Sequence, residues 1–141
     1  MIILDTNVLS ALMLRVPDQT VVAWLDQQPR TSVWTNSITI FELRFGLQFM
    51  PSGKRRAALI DDFEEFLSRI DHRIAPFDAE AAQYASALMA SRKIRGRPRE
   101  MRDTMIAGIV LSRRATLATR NIRDFDDISA TFVDPWTASA R

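Results

Sequence analysis

Four acidic residues stand at the boundaries of predicted helices and strands, at widely separated points of the chain. They are Asp5, Glu42, Asp103 and Asp124, and the first three have strongly apolar neighbours. Carboxylates that a fold gathers away from water repel one another, so such a cluster has to be offset by a cation. A bound cation suits the hydrolysis of a phosphodiester, because it lowers the pKa of its water and neutralises charge on the phosphate. The four acids together predict a hydrolytic metal site.

The residue types available favour Mg²⁺, with Mn²⁺ as the alternative, over zinc. The sequence has no cysteine and a single histidine, His72, which we expect to be structural. A ligand set made only of oxygen atoms is the one that these hard cations prefer.

Each of these acids also has an ordinary structural explanation. Asp5 precedes Thr-Asn and could cap a short helix, and "TIFE" (Thr39 to Glu42) matches a helix capping box. Asp103 lies near a helix start, where the helix dipole favours negative charge. Asp124 belongs to an acidic loop and could simply be solvated. For any one acid, the structural explanation is as good as a role in binding metal. The occurrence of all four together favours the metal site.

Strands and helices alternate along the whole chain, which predicts an α/β fold with a central parallel sheet of four to five strands flanked by helices. Sites in such sheets form at the carboxyl ends of the strands, where the four acids fall. The apolar patterns predict strands at 2–4, 32–36, 73–77, 116–119 and 131–133, and helices at 8–14, 18–29, 39–50, 54–70, 78–93 and 102–112, with a turn or short helix at 124–128. Asp18 and Asp78 are predicted to cap the second and the fifth of these helices.

Length and composition indicate one globular domain over residues 1–141. The hydrophobic fraction is 47% and the charged fraction 26%, which excludes a disordered chain. No apolar run approaches the roughly 18 residues of a membrane span, and the N-terminal run lacks a basic leader. We therefore expect a cytoplasmic protein. The four glycines form neither the G-x-G-x-x-G motif nor a P-loop, which argues against a nucleotide-dependent enzyme.

The basic residues are almost all arginine, 17 of the 19. The segment from Arg92 to Arg102 holds six basic residues and one acid. Because arginine forms forked contacts with phosphate, this segment could bind RNA; it could equally be a solvated loop or a partner surface. The candidate RNA-binding residues are Arg95, Arg97, Arg99 and Arg102.

Two aromatic features complete the pattern. Phe41, Phe45 and Phe49 share one face of a predicted helix, which favours the core or a dimer contact over a platform for stacking bases. Trp136 is expected to pack the C-terminal tail onto the body of the protein.

Four stretches, taken in order, carry a family resemblance. They are "ILDTNVLS", "SITIFELRFGL", "RDTMIAGIVLSRRATLATRNIRDF" and the closing "VDPW". Nearly end to end, the chain resembles PIN-domain proteins, and among them the VapC/FitB type of toxin ribonuclease. The fold of that family is the parallel α/β sheet predicted above.

The resemblance implies roles for individual residues. Asp5, Glu42 and Asp103 match the family's acidic triad, with Asp5 and Asp103 as direct Mg²⁺ ligands and Glu42 as a ligand or as the group that orients water. A fourth acid, frequent in the family, is either absent here or supplied by Asp124. The matching polar positions beside the acids are Thr6, Asn7, Thr119 and Asn121.

The resemblance also implies a biological setting. It implies an endoribonuclease that dimerises or joins a larger toxin–antitoxin assembly, and that is silenced by a small antitoxin whose C-terminal segment covers the site. The alternative is a binding or regulatory module that keeps the fold without significant cleavage.

Overall fold

The computed structural model describes residues 1–138, as five strands, six helices and two 3₁₀ turns. The strands are β1 (Ile2–Leu4), β2 (Val33–Asn36), β3 (Ile74–Ala75), β4 (Thr116–Ala118) and β5 (Thr131–Val133). The helices are α1 (Thr6–Leu12), α2 (Gln19–Asp26), α3 (Ser37–Phe49), α4 (Lys54–Arg69), α5 (Ala79–Ile94) and α6 (Met101–Arg113), and the 3₁₀ turns are Arg30–Ser32 and Ile122–Phe125.

The five strands form one parallel sheet in the order β3-β2-β1-β4-β5, which confirms the predicted fold class. Successive side chains of a strand point to opposite faces. Ile3 and Leu4 of the central strand β1 accordingly enter two different apolar clusters. The Leu4 cluster includes side chains from α1, α2 and α4, and the Ile3 cluster includes side chains from α6. The core therefore lies on both faces of the sheet.

Helices α5 and α6 approach each other closely at Gly108. A Cβ atom at this position would lie 2.5 Å from the carbonyl oxygen of Ala81 and 2.7 Å from the Cβ of Ala85. Only glycine allows the two backbones this separation. The contact fixes α6, and with it Asp103 in the first turn of that helix.

The helix starts show which capping predictions were correct. Asp18 and Asp78 cap α2 and α5 through their side chains, as predicted. The capping box at Thr39–Glu42 is wrong, because the side chain of Asn36 caps α3, which begins at Ser37. Glu42 therefore lies in the second turn of this helix. Helix α1 begins at Thr6, two residues earlier than predicted, because Asp5 caps it directly.

The prediction that Phe41, Phe45 and Phe49 belong to the core is wrong. Their exposed fractions are 61%, 56% and 82%, and the rings of Phe45 and Phe49 stack at 5.9 Å. Helix α3 packs Leu43 and Leu47 against the core instead. We call these three exposed residues the α3 aromatic stripe.

The tail packs onto the body of the protein, as predicted for Trp136. This indole lies against the Leu4 cluster, and its Nε1 donates to Oδ2 of Asp18 at 3.1 Å. The guanidinium of Arg120 lies 4.7 Å from the ring centroid. None of the helices within residues 1–138 has the length and apolar character to cross a bilayer.

Candidate active site

Asp5 lies at the carboxyl end of the central strand β1 and is 4% exposed. Its Oδ1 accepts the backbone N–H of Thr6 at 2.8 Å. Its Oδ2 accepts from the hydroxyl of Thr119 at 2.7 Å and from Nδ2 of Asn7 at 3.3 Å. Burial raises the pKa of Asp5, although these hydrogen bonds oppose the rise. The carboxylate is therefore held in one orientation at an energetic cost.

The predicted polar residues join the ends of β1 and β4. The Thr119 hydroxyl, which donates to Asp5, also accepts from Nδ2 of Asn7 at 3.4 Å and from the backbone N–H of Asn121 at 3.0 Å. Oδ1 of Asn7 in turn accepts the backbone N–H of Arg120 at 3.2 Å. Asn121 thus supports the site through its main chain.

Glu42 reaches the same edge from α3 and is connected to Asp5 through Thr6. The Thr6 hydroxyl donates to Oε1 of Glu42 at 3.2 Å and shares a hydrogen bond of 2.9 Å with the hydroxyl of Thr39. Burial raises the pKa of Glu42, while the bond from Thr6 and the charge of Arg102 lower it.

Asn36 is a positioning residue that the sequence analysis did not identify. It is fully buried, and its Nδ2 donates to the carbonyl of Leu4 at 3.1 Å and to the Thr39 hydroxyl at 3.0 Å. One side chain thus ties the end of β1 to the start of α3. The available signal was an asparagine as the last residue of a predicted strand, which is also an ordinary helix cap.

Asp103 lies in the first turn of α6, whose N-cap is Glu100. Its pKa is raised to about 6 by burial first, and then by the negative charges of Asp5, Glu100, Asp124 and Glu42. Asp103 thus feels the negative charges of the other three predicted acids, which come from three other parts of the chain. The structure brings all four predicted acids to one edge of the sheet.

Asp124 is partly buried. It lies in the 3₁₀ turn Ile122–Phe125, and its Oδ1 is 3.6 Å from Nη1 of Arg99. Its charge raises the pKa values of both Asp5 and Asp103. That Asp124 supplies the fourth acid of the family stays a prediction.

The family model described as PIN domain matches residues 2–130, a range that includes all four acids. The chain belongs to the PIN-domain family. This confirms the resemblance that the four sequence stretches carry.

Named relatives place this PIN domain near the VapC and FitB proteins. It is 38% identical to VapC ribonuclease Y4jK of Sinorhizobium fredii, with 96% of this chain and 98% of the relative covered. It is 33% identical to Toxin FitB of Neisseria gonorrhoeae, with 96% and 99% covered. The solved structure of FitAB bound to an IR36 DNA fragment superposes with a TM-score of 0.88 at 31% identity, covering 99% of this chain and 98% of that one.

The donor chemistry of this PIN domain fits a hard divalent cation. Within residues 1–138, no three His, Asp or Glu side chains converge closely enough to hold a metal ion by themselves. Mg²⁺ keeps several of its waters and usually takes only one or two protein carboxylates. Asp5 and Asp103, buried or half-buried and mutually repulsive, match that requirement.

Three of the four predicted RNA-binding arginines form ion pairs beside the carboxylate cluster. Arg102 pairs with Glu100 at 2.9 Å and lies 4.0 Å from Glu42. Arg99 pairs with Asp126 at 3.2 Å, and Arg95 with Asp127 at 3.3 Å. Arg97 is exposed. RNA binding by these residues stays a prediction. Arg92, the first residue of the basic segment, is buried and belongs to α5, within the helix predicted at 78–93.

Proposed function

We propose that this PIN domain is a metal-dependent endoribonuclease and the toxin of a toxin–antitoxin pair. The observation that carries the proposal is the gathering of Asp5, Glu42, Asp103 and Asp124, from four parts of the chain, at the carboxyl edge of the sheet. The names of two relatives, a VapC ribonuclease and Toxin FitB, support RNA as substrate and toxicity as consequence.

In this proposal Asp5 and Asp103 hold Mg²⁺, or Mn²⁺ in its place, and Glu42 is a ligand or orients a bound water. The cation, when bound, supplies an activated water and stabilises charge on the scissile phosphate. The chain's own polar groups do the positioning: Thr119 and the backbone of Thr6 orient the Asp5 carboxylate through both oxygens. Arg102, at the mouth of the cluster, is placed to contact an RNA phosphate.

The proposed partners are RNA, a small cognate antitoxin and a second copy of this chain. The FitAB structure, solved on DNA, supports a partner protein for the toxin. We expect the antitoxin's C-terminal segment to lie across the four carboxylates, where a basic side chain would offset part of their charge.

The decisive experiment uses the purified protein, free of any partner, with Mg²⁺ and with structured and unstructured RNAs. We expect Asp103→Asn to lower the cleavage rate by about two orders of magnitude or more, because the variant loses a charged ligand. The fold should survive, since the replaced carboxylate is held there against repulsion.

Asp61→Asn is the matched control, because Asp61 is an exposed acid on α4. It should cleave at the wild-type rate. Equal cleavage by wild type and Asp103→Asn would refute the assignment of the site. A wild-type protein that binds RNA without cutting it would instead favour a binding module.

A further inference from the structure

Arg92, near the end of α5, forms a buried and forked ion pair with Asp127. The arginine is 1% exposed, and its Nε and Nη2 lie 2.7 and 2.8 Å from the two carboxylate oxygens. The hydrogen bonds from Arg92 hold the pKa of Asp127 down at about 2, although partial burial opposes them. The pair is therefore charged at any physiological pH.

The same guanidinium makes two more contacts, both beside the candidate active site. Its Nη1 donates to the Thr104 hydroxyl at 2.9 Å, and its Nη2 donates to the carbonyl oxygen of Asp124 at 3.3 Å. Thr104 is buried and directly follows Asp103. One side chain thus joins the first turn of α6 to the segment 122–127.

Stability alone is a poor explanation for this arrangement. Removing two charges from water costs free energy that their attraction only partly returns, and well-packed apolar residues often serve a fold equally well. What an apolar pair could not reproduce is the directed set of four hydrogen bonds, which joins Thr104, the neighbour of Asp103, to the main chain of Asp124.

We propose that Arg92, together with Asp127, is a positioning residue that sets the separation of Asp103 and Asp124 and thereby the affinity of the carboxylate cluster for a divalent cation. The inference rests on the proposed function. It adds that two residues that are not cation ligands, Arg92 and Asp127, affect how tightly the site binds its cation.

The test compares wild type with Arg92→Met/Asp127→Leu, in which no charge is left unpaired. Arg113→Met is the matched control, because Arg113 pairs with Asp78 at 3.3 Å at the opposite ends of the same two helices. Four readouts are needed: the melting temperature, Mn²⁺ binding by calorimetry, amide hydrogen exchange over residues 121–127, and kcat and KM on RNA.

We expect the double variant to keep its melting temperature, to exchange faster over 121–127, and to bind Mn²⁺ about tenfold more weakly. Its kcat should fall by a similar factor with little change in KM, since the RNA-binding surface is intact. Arg92→Lys keeps the charge but cannot make all four hydrogen bonds, so its Mn²⁺ affinity should be intermediate. Arg113→Met should match wild type in all four readouts.

Wild-type Mn²⁺ affinity and exchange in the double variant would overturn the proposal. A lowered melting temperature with unchanged Mn²⁺ affinity and unchanged exchange over 121–127 would also overturn it, because the pair would then be structural only. A wild-type protein that binds no Mn²⁺ refutes the proposed cation site instead. The exchange rates of 121–127 then decide separately whether Arg92 fixes this segment.

Discussion

Asp5 uses its two carboxylate oxygens for different purposes. Oδ1 caps α1 by accepting the backbone N–H of Thr6, and Oδ2 is held by Thr119 at the end of β4. The cap and the site are therefore compatible, and the alternatives that the sequence left open for Asp5 do not exclude each other. The raised pKa values of Asp5, Glu42 and Asp103 show that the acidic edge is unfavourable to the charged forms without a cation.

The raised pKa of Asp103, about 6 against an ordinary 3.8, predicts how the stability of the cation-free protein depends on pH. The contribution of Asp103 to stability is fully present below pH 3.8 and is lost as the pH rises through about 6. Asp127, with a pKa of about 2, stays ionised and constant over this range. We expect the melting temperature to be a few degrees higher at pH 5 than at pH 7.5. After solvent screening, protonated Asp103 adds roughly 1 kcal/mol to the free energy of unfolding at the lower pH.

Differential scanning fluorimetry with and without Mg²⁺ measures this dependence. Mg²⁺ should stabilise the protein more at pH 7.5 than at pH 5, because protons compete for the same carboxylates. Asp103→Asn should lose most of both effects. If the melting temperatures of wild type and Asp103→Asn depend on pH in the same way, the raised pKa of Asp103 is contradicted.

At the scale of elements, the site depends on how the helices begin and pack. Asn36 starts α3 and at the same time fastens it to the end of β1, which carries Glu42 toward Asp5. Gly108 lets α6 lie against α5, which places Asp103 at the same edge. Neither residue would contact a substrate, yet both determine where a carboxylate lies.

Gly108→Ala should destabilise the protein by about 1–3 kcal/mol, because the added methyl group meets main-chain atoms of α5 that cannot move aside. Gly46→Ala is the matched control: Gly46 is exposed within α3, and its added Cβ would have nothing within 4 Å. That substitution should stabilise by up to about 1 kcal/mol through helix propensity. Urea unfolding measures both, and equal effects of the two substitutions would show that the close approach at Gly108 is not tight.

The whole molecule presents two distinct surfaces: the acidic edge and, on the outer side of α3, the aromatic stripe. Contiguous exposed apolar side chains usually mark an interaction site. With the core excluded for Phe41, Phe45 and Phe49, the dimer contact stays a prediction for these residues. Because Glu42 lies on the same helix, a second copy packed there would lie close to the carboxylates.

We therefore expect Phe45→Ser/Phe49→Ser to convert a dimer into a monomer in light scattering coupled to size-exclusion chromatography. The melting temperature of the monomer should change little, since both rings are exposed. Ile94→Ser is the control, because Ile94 is 85% exposed at the end of α5 and outside the stripe. A double variant that stays dimeric would place the contact elsewhere.

The sequence by itself determined the alternation of strands and helices, the caps at Asp18 and Asp78, and the positions of Asp5 and Asp103 at helix starts. These features follow from short-range causes: apolar periodicity, capping by the nearest polar side chain, and the run of residues that a strand buries. The parallel sheet then follows from the alternation, because neighbouring parallel strands need a crossover helix.

Only the tertiary structure decided which face of α3 is buried, that Asn36 rather than Thr39 caps this helix, and that Arg92 leaves the basic segment to pair with Asp127. Each of these outcomes depends on groups far away in sequence. The carbonyl of Leu4 accepts a hydrogen bond from Asn36 and so holds it in place. Arg92 and Asp127 are 35 positions apart in the sequence, and they meet only when α5 packs against the segment after β4. Local pattern supplies the candidates, and long-range packing and hydrogen bonding choose among them.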